Sequence, residues 1–220
     1  MFKENKDFYP TPEALSKKMI EKVKFFDGMK VLEPSAGKGD LAGQVVKAYE
    51  KEMQKKSGRY SKYSPIDLDV IEKDTNLQKI LKGSGYRLID EDYLKNRTEK
   101  WYDLIIMNPP FSDGVHHVLK AAEMISKGGQ LVALLNASNI KRPNTVYEKD
   151  LVRKIADYEA EVEYLEGEFA TSEAERKTNV EVALIYFDIK AKRKKSIVVE
   201  NLKKDIEIEK ANEEIEENDD

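Results

Sequence analysis

Short apolar runs alternate along this chain with stretches whose apolar residues recur every three or four positions. Five runs have the length and content of strands: 30–34 (KVLEP), 67–72 (DLDVIE), 86–90 (YRLID), 102–107 (YDLIIM) and 130–136. Two more, 162–165 and 180–189, close the patterned part. Helical spacing falls between them, over 12–26, 39–52, about 76–82, 115–125 and 148–156. In the first of these Leu15, Met19, Ile20 and Val23 share one face; in the fourth Val118, Leu119, Ala122 and Ile125 do. This alternation predicts βαβ units in a doubly wound α/β sheet of seven strands. Such sheets take ligands outside the carboxyl ends of their strands, where strand order reverses.

Punctuation sets the boundaries. Thr11 reads as the cap of the opening helix, Pro12 as its first residue, and Glu13 as a charge suited to the helix dipole. Gly128-Gly129 ends the fourth helix. Residues 55–65, 137–147 and 171–179 read as loops. No repeat of about 20–50 residues is visible.

Composition narrows the class. With 220 residues, 40% of them apolar, the chain has material for one core and little beyond it. No cysteine is present, which excludes disulfides, thiolate metal ligands and a cysteine nucleophile. The two histidines are the adjacent pair His116 and His117, so no metal site is expected. No apolar run approaches the roughly 18–20 residues of a membrane span, and the start lacks a signal-peptide core. A soluble, cytoplasmic protein is the expectation. The net charge of −4 divides unevenly: residues 201–220 hold three lysines and nine acids, leaving +2 on residues 1–200. A domain at 1–189 is therefore expected, followed at 190–220 by a basic linker (KAKRKK, 190–195) and an acidic, disordered tail.

Two strand ends carry chemistry. Residues 31–40 (VLEPSAGKGD) run from a strand through small residues and glycines into a helix. Glycines permit a tight turn and close approach to a ligand. The spacing is neither that of a P-loop nor G-x-G-x-x-G. Glu33 at the strand tip disfavours a pyrophosphate and suits hydroxyls or an ammonium group. The second end is Asn108-Pro109-Pro110-Phe111, after the buried run LIIM. Two prolines stiffen the backbone and remove two N–H donors, leaving a rigid cluster of acceptors that includes the Asn108 amide oxygen. Rigid acceptors suit an amine, and Phe111 adds a flat face for a stacked base.

With these two motifs in this order, residues 8–189 resemble the class I S-adenosylmethionine-dependent methyltransferases, specifically the amino-methyltransferases that modify adenine N6 in DNA. The resemblance implies a Rossmann-like, mostly parallel sheet with one antiparallel strand near the edge, and S-adenosyl-L-methionine as cofactor. It places Tyr9 and Thr11 in an N-terminal cofactor segment, with Thr11 near the methionine carboxylate. It places Glu33, Ser35, Ala36, Gly37 and Gly39 around the methionine part, with Glu33 near the ammonium. Glu72 is implied at the ribose hydroxyls, with Asp74 as a weaker candidate. Asp92 is implied at the adenine amine, with Asp90 and Glu91 close in register. Asn108, Pro109, Pro110 and Phe111 become the catalytic segment, Asn108 also bordering the cofactor. The asparagine amide and the Pro109 carbonyl would accept the N–H bonds of a flipped-out adenine, draw its nitrogen toward tetrahedral geometry, and stabilise the charge of attack.

The substrate is less constrained by the residues. Lys141, Arg142, Arg176 and Lys177 are the candidate nucleic-acid contacts. Lys55, Lys56, Arg59 and Lys62, interleaved with Tyr60 and Tyr63, form a second basic stretch. The chain holds little material for reading a DNA sequence, so a partner subunit supplying specificity is one expectation. An RNA or protein-glutamine amino-methyltransferase, and a non-catalytic binding subunit of the same fold, stay open beside the DNA reading.

Overall fold

A computed structural model describes residues 10–57, 62–166 and 181–190. Its elements are α1 (Glu13–Glu21), β1 (Lys30–Glu33), α2 (Asp40–Ser57), β2 (Asp67–Ile71), α3 (Thr75–Gly83), β3 (Arg87–Asp90), β4 (Leu104–Met107), α4 (Gly114–Met124), β5 (Gly129–Asn136), α5 (Ser138–Lys141), α6 (Val146–Asp157), β6 (Glu161–Leu165) and β7 (Val182–Ile189). The seven strands form one sheet in the order β3-β2-β1-β4-β5-β7-β6. The β1–β2, β2–β3, β1–β4 and β4–β5 pairs are parallel, whereas β7 is antiparallel to both its neighbours. The expected seven strands and the single reversed strand next to the edge are both present.

Period-two alternation divides the core between the two faces of this sheet. Val31, Leu104, Ile106, Val132, Leu134, Val182 and Leu184 face α1 and α2, meeting Leu15, Met19, Leu41, Val45 and Tyr49. Leu32, Ile105, Met107, Leu131, Ala133, Leu135, Ala183, Ile185 and Phe187 face α4 and α6, meeting Val118, Ala121, Ala122 and Leu151. All four residues of β4 are buried, as a central strand covered on both sides requires. A smaller cluster of Ala36, Ala42, Val70 and Leu81 seats α3 beside α2.

At the amino ends of β2 and β3, Asp69 is buried at 1% exposure. It accepts hydrogen bonds from Arg87 Nε, from Lys100 Nζ at 2.7 Å and from the Tyr102 hydroxyl at 2.8 Å. This network ties β2, β3 and the approach to β4 together at the end of the sheet away from the cavity described below.

Four boundaries differ from the expectations for physical reasons. The opening helix starts at Glu13 and stops at Glu21; Pro12, with an extended ψ of 145°, holds the cap position. Thr11 lies one residue too early to cap it. Next, α2 continues to Ser57, through residues expected to be loop. Glu52 pairs with Lys55 at 3.6 Å and Lys56 at 3.5 Å, spacings that support another helical turn. Third, the 137–147 segment contains α5, whose first turn is held by Asn136 Oδ1, which accepts from the Ser138 amide (2.9 Å) and hydroxyl (2.8 Å). Finally, α6 starts at Val146 rather than 148, because Thr145 and Glu148 form a reciprocal capping box. That box, with Asn139 adding a bond, holds Glu148 down at a pKa of about 2.

Candidate active site

Strand order reverses between β1 and β4. The chain steps outward from β1 to β3, then crosses back to pair β4 beside β1, with Val31 opposite Leu104 and Leu32 opposite Ile105. The carboxyl ends of these two strands carry the glycine turn and the Asn108-Pro109-Pro110-Phe111 segment. Between them opens a cavity of about 540 Å³, within the range of small-molecule and cofactor sites, roughly 300–1,000 Å³. Its walls come from the ends of β1, β2, β3 and β4.

The glycine turn is built for close approach. Gly39 donates to the Ala36 carbonyl at 2.8 Å, closing a turn in which Gly37 has φ 58° and Gly39 φ 89°. A side chain at 39 would also meet the Tyr86 ring, since a Cβ there falls 2.6 Å from its Cε2. The Tyr86 hydroxyl donates to the Gly39 carbonyl at 3.2 Å, fixing the turn from beneath. Glu33, Ser35, Ala36 and Gly37 line the cavity, whereas Gly39 stands behind the wall as the residue that permits the turn.

Glu33 is 2% exposed, and its Oε2 has no hydrogen-bond partner among the described residues. Burial pushes its carboxyl well above the ordinary glutamate range; the Ala42 amide opposes this, and the Glu72 and Asp40 carboxylates add to it. A buried acceptor without a donor is costly and calls for one from a ligand. Glu72, just past β2, spans the turn. Its Oε2 accepts from the Gly37 amide at 2.7 Å and its Oε1 from the Asp74 amide at 2.8 Å. Burial raises its pKa too, against the opposing backbone bonds. A carboxylate offers about four acceptor positions, so two amides leave capacity for hydroxyls.

Of the acids after β2 and β3, Asp92 and Glu91 line the cavity, but Asp74 and Asp90 do not. Asp74 caps α3, accepting from the amides of Asn76 (2.8 Å) and Leu77 (3.2 Å). Asp90 accepts from Asn96 Nδ2 and from the Glu91 amide, each at 2.7 Å. Asp92 Oδ1 accepts from the Leu94 amide at 3.1 Å, while its Oδ2 lies 3.3 Å from Lys95 Nζ.

The fourth wall is Asn108, Pro109, Pro110 and Phe111. Thr11, set free from capping, turns to this wall: Asn108 Nδ2 donates to Thr11 Oγ1 at 3.0 Å. Phe111 is half-buried, packed against the core beneath α1 and α2. The Pro110 carbonyl accepts the Asp113 amide at 3.1 Å, and Gly114 begins α4 pressed against Leu135, where a Cβ would come within 2.5 Å of Leu135 Cδ2.

Two cavity residues, Tyr93 and His117, carry no role in the sequence reading. Their rings lie 5.3 Å apart. His117 Nδ1 faces the Asp113 carbonyl at 2.9 Å, so Nδ1 carries the proton. Burial lowers the imidazole's pKa, and the ring is neutral. The available signal is position: Tyr93 follows Asp92, and His117 lies one turn into the helix after the Asn-Pro-Pro-Phe segment.

Other candidates fall elsewhere. Tyr9, Arg59, Tyr60, Arg176 and Lys177 lie outside the described residues. Lys141 pairs with Glu181 and sits 4.3 Å above the Tyr164 ring, whereas Arg142 is exposed. Lys56 donates to the Phe25 carbonyl at 2.7 Å. Among the described residues no cluster of metal-ligating side chains occurs, and no helix is long and apolar enough to cross a membrane.

The sequence matches the methyltransferase small domain family over residues 13–162. A search of the curated proteins finds no match. Several solved structures share the fold. The methyltransferase subunit of a type I restriction-modification system from Streptococcus thermophilus superposes with a TM-score of 0.63 at 15% identity, covering 86% of this chain and 46% of that one. A dimethyladenosine transferase from Plasmodium falciparum gives 0.56 at 15%, covering 82% and 62%. A putative class I S-adenosylmethionine-dependent methyltransferase from Listeria monocytogenes gives 0.56 at 13%, covering 84% and 62%. The chain thus spans about half to three-fifths of the length of these proteins. The cofactor is S-adenosyl-L-methionine. The cavity fits it: the orphaned Glu33 oxygen suits its ammonium and the Glu72 carboxylate suits paired hydroxyls.

Proposed function

Because the chain belongs to the methyltransferase small domain family, we propose that it transfers a methyl group from S-adenosyl-L-methionine to the exocyclic N6 amine of adenine in DNA. The observation that carries this reading is the Asn108 amide, held by Thr11 in a proline-stiffened segment on the wall of the cofactor cavity. The name of one protein of similar fold, a dimethyladenosine transferase, favours adenine as the methyl acceptor.

The cofactor supplies an electrophilic methyl group on a sulfonium. The residues supply position and charge. Glu33 holds the ammonium, Glu72 the ribose hydroxyls, and Asp92 the adenine amine, each through a carboxylate placed at a strand end. Asn108 Oδ1 and the Pro109 carbonyl accept the two N–H bonds of the target amine. Its lone pair would thereby be released from conjugation with the ring, and the positive charge that develops as the N–C bond forms and the methyl–sulfur bond breaks would meet two oriented dipoles; the sulfur would leave as a neutral thioether and one amine proton would pass to solvent. The bond from Asn108 Nδ2 to Thr11 orients the side-chain amide for this contact. Phe111 stacks on the extruded base, which a duplex would keep out of reach. A partner that supplies sequence recognition is part of this proposal.

Calorimetric titration with S-adenosyl-L-methionine, followed by labelled-methyl transfer to separate pools of DNA, RNA and protein, tests it. Label at N6 of DNA adenine is the expected result. Label confined to RNA or to protein glutamine would replace the substrate assignment. Absence of cofactor binding would leave only a binding role for the fold.

A further inference from the structure

Residues 92–96 join β3 to the approach to β4 without being strand or helix, yet Asp92, Tyr93, Leu94 and Lys95 all contribute to the cavity wall. A loop that reads a ligand needs something to fix its curvature. Its own turn bonds run from the amides of Lys95 (3.2 Å) and Asn96 (2.8 Å) back to the Asp92 carbonyl. The next carbonyls point the other way, toward α4, and converge on a single atom. Lys120 Nζ donates to the carbonyls of Tyr93 at 2.5 Å, Leu94 at 3.2 Å and Asn96 at 2.6 Å.

The match is stoichiometric: an ammonium has three donors and no acceptor, and three carbonyls receive it. The same ammonium lies 4.9 Å above the Tyr93 ring, which also stands 5.3 Å from the His117 ring. His117 and Lys120 are three residues apart on α4, on one face of the helix. One side of α4 therefore grips the loop by a ring and by a charge. That helix starts at Gly114, three residues after Phe111. Burial lowers the lysine's pKa, opposed by the carboxylates of Asp92 and Asp90.

We infer that Lys120 is a positioning residue for the adenine end of the cofactor site, acting through the 92–96 backbone to hold Asp92 at the cavity wall. The inference rests on the reading of that cavity as the cofactor site. Lys120 itself is not part of the cavity lining. It makes the loop's geometry depend on the helix that follows the catalytic segment, so both walls are registered to one element.

The test compares the full-length protein with Lys120→Met, which keeps most of the stem and removes the charge, and with Lys120→Arg, which keeps the charge in a planar fork. Binding of S-adenosyl-L-methionine is measured by calorimetry, and steady-state methyl transfer is split into kcat and the KM for cofactor. Lys120→Met is expected to weaken cofactor binding by about 10- to 100-fold while kcat at saturating cofactor stays within about twofold. Lys120→Arg should recover part of that loss, and amides 93–96 should exchange hydrogen faster in Lys120→Met. Unchanged cofactor affinity in a folded Lys120→Met protein would overturn the inference, as would a fall in kcat with affinity intact. If the methionine variant does not fold, Lys120→Gln and Lys120→Arg carry the same measurement. Failure of the unsubstituted protein to bind the cofactor would overturn the cofactor reading itself, and the inference with it.

Discussion

The Asn108 side chain donates from Nδ2 to the hydroxyl of Thr11 at 3.0 Å, across 97 positions of sequence. That bond fixes which way the amide faces. Asn108→Ala is expected to abolish methyl transfer while leaving cofactor affinity within a few-fold. Thr11→Val keeps the shape and removes the oxygen that holds the amide. It should lower kcat by about tenfold, the worth of one hydrogen bond used for orientation. Radiolabel incorporation beside calorimetry reads both; full activity in Asn108→Ala would refute the assigned mechanism.

Glu33 titrates above the ordinary glutamate range because it is buried. The folded chain therefore holds that proton more tightly than the unfolded chain does. The penalty for ionising it is absent at pH below the ordinary range, grows as pH rises, and is complete above the raised value. In the cofactor-free protein, Glu33→Gln should raise Tm by an amount that widens from acid to neutral pH. Cofactor affinity should run oppositely. An ammonium ligand favours the ionised carboxylate, so binding strengthens as pH rises through the raised value and releases a proton. Calorimetry in two buffers of different ionisation enthalpy measures that release, which should vanish in Glu33→Gln together with much of the affinity.

Gly39 combines φ 89° with a ring 2.6 Å from where its Cβ would stand. Gly39→Ala must strain the backbone and displace Tyr86, at about 1–3 kcal/mol. Denaturant unfolding should register that loss, and cofactor binding should fall with it, because the turn's amides move.

Asp69 sits at the other end of the sheet, accepting from Arg87, Lys100 and Tyr102. Asp69→Ala leaves the buried Tyr102 hydroxyl without this partner, while Arg87 and Lys100 keep Asp67 as a shared counter-charge. A destabilisation of about 1–3 kcal/mol is expected, with kcat unchanged at a temperature where the variant is folded. A kcat loss without a stability loss would contradict the separation of the two ends.

The strands were legible because their burial is written in residue type: LIIM has no polar position to misplace, and the eight-residue run of β7 alternates between two apolar faces. The tips of β1 and β4 were legible for a related reason, since carboxylate, glycine and proline each restrict what a backbone does at a strand end. Less visible was whatever depended on a distant partner. Thr11 looks like a cap in one dimension, and only the packing of α1 beside β4 makes it a partner for Asn108. Lys120 looks like a solvated helix residue until the loop after β3 folds against it. Two boundary errors had local signals: the Thr145-x-x-Glu148 capping box and the Glu52–Lys56 pair both lie within four residues.

The crossing from β3 back to β4 has a consequence for how the protein comes into being. The glycine turn ends at residue 40 and the Asn-Pro-Pro-Phe segment begins at 108, but they face each other across one strand spacing. Nothing near in sequence brings them together; only correct pairing of β4 with β1 does. Non-local pairings of this kind form slowly. A chain emerging from synthesis can assemble the β1–β3 wing, with its acidic grip, well before any acceptor wall exists. On the proposed function, the site is complete only once β4 closes against β1, so methyl transfer during refolding should appear with the completion of the sheet's centre.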